Sequence, residues 1–203
     1  MPRPANKSMA LGEDYFLRYG VNTPGTLKKD YSRNWRHFTF SFPEILRVYR
    51  AQFKSVPLNF LDIGAADGRF MQIAMDRGLK VRGIENSPFI LARISDRKLR
   101  KLILQADALD AVVDLPEGSF DIILECAAQY LPPHRLDRYL KNVKRLCSNA
   151  GMVCLLIDPK NYEGDRSGPH TGVRTFESMT WWRKKMLALG FERSGKDFYF
   201  FNA

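Results

Sequence analysis

From about Leu58 to the C-terminus, short apolar runs alternate with stretches whose apolar residues recur every three or four positions. That alternation predicts strands joined by crossover helices, hence a mostly parallel sheet. The strand candidates are Leu58–Ile63, Lys80–Ile84, Leu102–Gln105, Phe120–Cys126 and Met152–Ile157. Phe120–Cys126 is almost continuously apolar, the pattern of a strand buried on both faces. Helices are expected over Arg69–Arg77, closed by Gly78, over Pro88–Lys98, opened by Ser87-Pro88, and over Glu177–Leu189, closed by Gly190. The clearest helix carries Leu136, Tyr139, Leu140, Val143 and Leu146 at helical spacing, with Arg135, Asp137, Arg138, Lys141 and Lys144 between them. Asn149-Ala150-Gly151 is its expected stop. Phe191–Arg193 and Asp197–Phe201 read as a terminal hairpin. The pattern yields elements, not the order of strands in the sheet.

The first 57 residues differ. They are aromatic and basic, with Tyr15, Tyr19, Tyr31, Trp35 and His37 among them, and ten Lys/Arg stand against four Asp/Glu. Within them Pro43–Phe53 reads as a helix with Ile45, Leu46, Tyr49 and Phe53 on one face. Residues 1–57 are therefore expected to be an extension packed on a domain formed by residues 58–203. There is no repeat or low-complexity tract. Of the Trp181-Trp182 pair, one ring is expected in the core and one at the domain's edge.

Composition narrows the class. Of the 203 residues, 45% are hydrophobic and 27% charged, which is globular rather than disordered. No run approaches a membrane span. The opening MPRPANKSMALGEDYF lacks an apolar core of signal-peptide length, so a cytoplasmic location is expected. Three cysteines without a CxxC pair, each in an apolar segment, fit reduced buried thiols and no metal site. The net charge of +10, clustered at Arg93–Lys101, Arg135–Arg145 and Arg183–Lys185, could steer a nucleic acid or an anionic small molecule, or merely solvate helix faces.

The chemistry concentrates in Leu61-Asp62-Ile63-Gly64-Ala65-Ala66-Asp67-Gly68, a glycine-rich turn between a strand and a helix. Glycine permits a tight turn and brings backbone close to a ligand, and the helix start offers unpaired N–H groups suited to a carboxylate or phosphate. The spacing is D-x-G-x-A-x-G, not G-x-G-x-x-G. Glu85 ends the next strand 23 residues after Asp62, where a carboxylate can accept from both hydroxyls of a ribose. Asp107 ends the third strand, within reach of an adenine amino group.

With these three features in order, residues 58–203 resemble the class I S-adenosylmethionine-dependent methyltransferases. The resemblance implies an α/β, Rossmann-like doubly wound sheet, mostly parallel, with an antiparallel C-terminal hairpin strand, here with the N-terminal helical and aromatic extension. It implies S-adenosyl-L-methionine as cofactor. The loop, with Asp62, Gly64, Ala65, Ala66 and Gly68, would wrap its methionine part, Glu85 would hold its ribose, Asp107 with Ala108 would contact its adenine, and Asn86 would belong to the same cofactor site. Glu125, ending the fourth strand, completes the cofactor set. Ala66 departs from the family, where many members have glycine. A nicotinamide enzyme on a similar fold is disfavoured by the loop spacing, the acid after the third strand and the terminal hairpin.

Methyl transfer to a nucleophile is an in-line displacement in which positioning contributes most, and a base is needed only if the acceptor must lose a proton. Gln129 and Tyr130, after the fourth strand, are candidates to fix the acceptor, and His170 is a candidate base. Tyr31, Trp35, Arg166 and Arg174 are candidates to bind it, with Asp158 a further polar contact, whereas His134 reads as a capping or surface group. The expected acceptor is a small, anionic molecule methylated at nitrogen or oxygen. RNA or DNA methylation on the basic surface and a non-catalytic, cofactor-binding partner subunit are the alternatives.

Overall fold

The computed structural model describes residues 42–157, 173–194 and 199–202. Helix α1 spans Phe42–Phe53, followed by β1 (Asn59–Ile63), α2 (Arg69–Met75), β2 (Lys80–Glu85), α3 (Pro88–Leu91), α4 (Arg97–Lys101) and β3 (Ile103–Gln105). Then come α5 (Ala108–Asp114), β4 (Phe120–Glu125), a single 3₁₀ turn (Ala128–Tyr130), α6 (Pro133–Leu146), β5 (Cys147–Leu155), α7 (Met179–Ala188), β6 (Glu192–Arg193) and β7 (Tyr199–Asn202).

The seven strands form one sheet in the order β3-β2-β1-β4-β5-β7-β6. The pairs from β3 through β5 are parallel, and β7 runs antiparallel between β5 and β6. From β1 the chain winds outward to β2 and β3, then returns to the other side of β1 for β4 and β5. The reversal lies between β1 and β4, the switch point at which open α/β sheets bind ligands in the crevice beyond the strands' C-terminal ends.

Alternation along each strand builds one core on each face of the sheet. Phe60, Ile122, Leu124, Met152, Tyr199 and Phe201 pack with α1 and α2, while Leu61, Ile63, Ile123, Val153, Leu155 and Phe200 pack with α5, α6 and α7. Helix α1 crosses the first face: Phe42 meets Phe60 edge-on at 5.5 Å, and Phe53 meets Phe201 at 5.4 Å. Helix α6 buries Leu136, Tyr139, Leu140, Val143 and Leu146, the stripe read from the sequence. Trp182 is fully buried, and Trp181 sits half-buried against it at 5.1 Å.

Three local expectations are corrected. The expected helix Pro88–Lys98 is two short helices, because the Asp96 carboxylate accepts from the Lys98 and Leu99 amides and caps a new start. Asn149-Ala150-Gly151 does not stop α6. Strand β5 begins directly at Cys147, and those residues bulge from its pairing with β4, where the register jumps between Phe120 and Ile122. Helix α5 has no counterpart among the expected elements. Asp107 caps it by accepting from the Leu109 amide at 2.9 Å. Among the described residues no helix is long and apolar enough to cross a membrane, and no cluster of His, Cys, Asp or Glu is arranged to hold a metal.

Candidate active site

The register places Ile63 level with Ile84 on β2 and with Glu125 on β4, so the strand ends beside the crevice are aligned. The glycine loop follows β1, Asn86 and Ser87 follow β2, Asp107 follows β3, and Cys126–Tyr130 follow β4. The first and last of these segments touch. A side chain at Gly64 would meet Cys126 Cβ at 3.3 Å.

The loop makes three left-handed turns in five residues, with φ of +82° at Gly64, +48° at Ala66 and +74° at Gly68. Ala66 is the position where glycine would be at ease, since a Cβ in this region costs about 1–2 kcal/mol. At Gly68 an added Cβ would also come within 3.0 Å of Leu99 Cδ2. The glycines here answer first to backbone conformation and to packing within the protein.

The amides expected to stand unpaired have protein acceptors. Gly64 and Ala65 both donate to the Ile84 carbonyl, Ala66 donates to Glu85 Oε2 at 2.9 Å, and Arg69 donates to Asp67 Oδ1 at 3.2 Å. The loop is thus pinned to the end of β2 by the Glu85 carboxylate, whose other oxygen takes the Ser87 amide at 2.8 Å. Each carboxylate oxygen can accept a second bond.

Asp62 and Glu85 are buried on the α1/α2 side, at 2% and 6% exposure. Burial pushes the Asp62 carboxyl well above the usual carboxylate range, with repulsion from Glu85 and Asp67 adding to it. Burial likewise raises Glu85 and Asp67, against the amides and Arg69 that hold them down. Two buried carboxylates beneath the loop and half-buried Asp67 within it thus gather at one end of the sheet, in a chain whose net charge is +10.

Glu125 lies on the opposite face. It is wholly buried; Oε1 accepts from the Ala127 amide, the Ala128 amide and the Tyr139 hydroxyl at 2.8, 2.8 and 2.7 Å. Desolvation pushes its carboxyl up to about 7 despite those three donors. The structure therefore ties Glu125 to its own turn and to α6, not to the crevice surface. The apolar period registers Tyr139 only as a member of the α6 stripe. A hydroxyl-bearing ring among aliphatic core positions is the available signal that a polar partner waits there.

The remaining candidates divide. Asp107 and Ala108 stand where β3 ends, with Asp107 half-buried. Gln129 is buried and Tyr130 half-buried in the 3₁₀ turn. The Gln129 carbonyl accepts from the Arg174 and Thr175 amides, both at 2.9 Å, which brings exposed Arg174 beside that turn. His134 is exposed near the start of α6. Tyr31, Trp35, His37, Asp158, Arg166 and His170 lie outside the described residues. Cys126, Cys147 and Cys154 are free thiols.

Residues 60–151 match the family model described as a methyltransferase domain. No curated protein matches the chain. Among solved structures, an S-adenosylmethionine-dependent methyltransferase from Archaeoglobus fulgidus is similar at 18% identity and a TM-score of 0.57, over 80% of this chain and 74% of that one. The plantazolicin methyltransferase BamL, solved with a triazolic desmethylPZN analog and S-adenosylhomocysteine, is similar at 16% identity and a TM-score of 0.64, over 88% and 70%. The complex between the Haloferax volcanii Trm112 methyltransferase activator and a putative methyltransferase gives 17% identity and a TM-score of 0.64, over 89% and 76%. Residues 60–151 thus match a methyltransferase domain, and the strand order gives the chain the fold of the class I S-adenosylmethionine-dependent methyltransferases.

Proposed function

We propose that this protein transfers a methyl group from S-adenosylmethionine to nitrogen or oxygen of a small, anionic acceptor. The observation that carries the cofactor half is the set of crowded carboxylates under the glycine loop. Asp62 and Asp67 suit the ammonium of the methionine part, Glu85 suits the ribose hydroxyls, and Asp107 with Ala108 suits adenine. S-adenosylhomocysteine bound to BamL supports the same reading by kinship of fold. The cofactor supplies an electrophilic methyl on a sulfonium whose departure needs no acid.

The protein's own part is to position the acceptor in line. Gln129 and Tyr130, on the turn after β4, would orient it, and Arg174, whose amide bonds to that turn, would attract its charge. Tyr31, Trp35, Arg166 and His170 remain proposed acceptor contacts on the strength of the sequence.

Nucleic acid methylation is the second reading, favoured by the net charge. Against it, several clustered cations are engaged within the fold. Arg145 caps α5 through the Val112, Val113 and Leu115 carbonyls, Lys144 reaches the Gly190 carbonyl, and Lys185 pairs with Asp137 at 2.7 Å.

Calorimetric titration with S-adenosylhomocysteine tests the cofactor. Micromolar binding is expected, weakened at least about tenfold by Glu85→Ala, with none for NAD. No binding by folded protein would leave a partner-dependent subunit, in line with the activator complex of the Haloferax relative. Oligonucleotide affinity that falls steeply with salt would favour the nucleic acid reading.

A further inference from the structure

The turn after β4 is held by one carboxylate oxygen. Glu125 Oε1 takes three donors: two successive amides at the turn's start and the Tyr139 hydroxyl from the middle of α6. The other oxygen, Oε2, is buried with no hydrogen-bond partner. From Ala128 the turn runs directly into Gln129 and Tyr130, and the Gln129 carbonyl anchors residues 174 and 175. Thr175 is further fixed by its hydroxyl, which donates to the Leu131 carbonyl at 2.8 Å. A single buried carboxyl therefore sits at the head of a bonded path from α6 to the segment carrying Arg174.

We propose that Glu125 is a positioning residue for methyl transfer: the Glu125–Tyr139 pair sets the turn that presents Gln129, Tyr130 and Arg174 to the acceptor. This rests on the methyltransferase reading only for what the turn faces, not for how it is held. A charged carboxylate binds two amides more tightly than a neutral acid does. Burial nevertheless outweighs the donors, so the ordered turn favours protonated Glu125 and ionisation loosens it. The titratable groups around the pair are Cys126, next in the chain, and Asp107 at the start of α5, which acts on Tyr139. Neither is cationic, and burial with two donor amides and one hydroxyl governs the carboxyl.

The test is amide NMR of isotope-labelled protein from about pH 5 to about pH 9. The Ala127 and Ala128 amides are expected to titrate together with a midpoint of about 7, and Gln129, Arg174 and Thr175 to follow the same curve. Their exchange protection should be about tenfold lower above the midpoint than below it. Glu125→Gln keeps shape and abolishes the titration. Tyr139→Phe removes a donor that favours the charged form, so its midpoint moves upward. The Gln129, Arg174 and Thr175 amides should follow the shifted midpoint, which a bond whose effect stays local to Glu125 and Tyr139 would not produce. Titration at an ordinary carboxylate value, or a turn whose later residues ignore the Ala127 and Ala128 transition, overturns the proposal. S-adenosylhomocysteine titration of the same wild-type sample reports separately on the cofactor: its failure removes that reading, while the amide curves still decide what holds the turn.

Discussion

Glu125 combines a large desolvation cost with a well-made set of donors, and the cost wins. Its carboxyl rises from 4.5 to about 7 even though three donors favour the charge. The folded protein therefore holds a proton there that the unfolded chain has released, and stability falls as pH climbs between those two values. A tenfold difference in proton affinity is worth about 1.4 kcal/mol, so the penalty fully present above the folded value is about 3 kcal/mol. Glu125→Gln imitates the protonated form. Relative to wild type, the variant is expected to gain about 2–3 kcal/mol between pH 5 and pH 8, read from urea melts at the two ends. A constant difference across that range would contradict the burial argument. At the same scale, sequence spacing singles out Asp62, Glu85 and Asp107 because each stands at or just beside the C-terminal end of a strand. It could not find the Glu125–Tyr139 bond, because residues 14 apart meet only when α6 folds back over β4.

Elements show why some of the fold was legible and some was not. Strands β1, β2 and β4 and helix α6 announce themselves by composition, since burial on two faces or one stripe leaves a periodic record. Helix α5 leaves almost none. Its sequence, Ala108–Asp114, is short and carries two adjacent β-branched residues, and what starts it is the Asp107 cap. The break between α3 and α4 is likewise a local capping event that an apolar period does not register. Strand order belongs to neither pattern, as it depends on which exposed edges meet. One contact between elements makes a sharp prediction. Gly83 lies on β2 directly under α2, and a Cβ there would stand 2.5 Å from the sulfur of fully buried Met71 and 3.1 Å from Ala65 Cβ. Gly83→Ala forces the Met71 side chain, or α2 with it, to shift, at a cost of about 1–3 kcal/mol. Because α2 follows the glycine loop, thermal melts should show the loss of stability and calorimetry a weaker affinity for S-adenosylhomocysteine. An unchanged melting temperature would mean that Met71 yields without cost.

The molecule as a whole carries a net charge of +10 around buried acids at the glycine loop. The two features have separate consequences. The outer charge acts at long range and is screened by salt, whereas Asp62 and Glu85 are buried and screened little. Both carboxyls are raised by burial, Asp62 well above its ordinary value. A ligand bringing an ammonium and ribose hydroxyls stabilises their charged forms and so draws their protons off. Binding of S-adenosylhomocysteine should therefore release protons, and its affinity should fall as pH drops toward the acid range where the carboxyls are already neutral. Calorimetry in two buffers of different ionisation enthalpy measures that release directly. Glu85→Gln should lower the number of protons released along with the affinity. Affinity independent of pH with no proton release would mean that the acids keep the loop in shape and take no part in holding the ligand's charge.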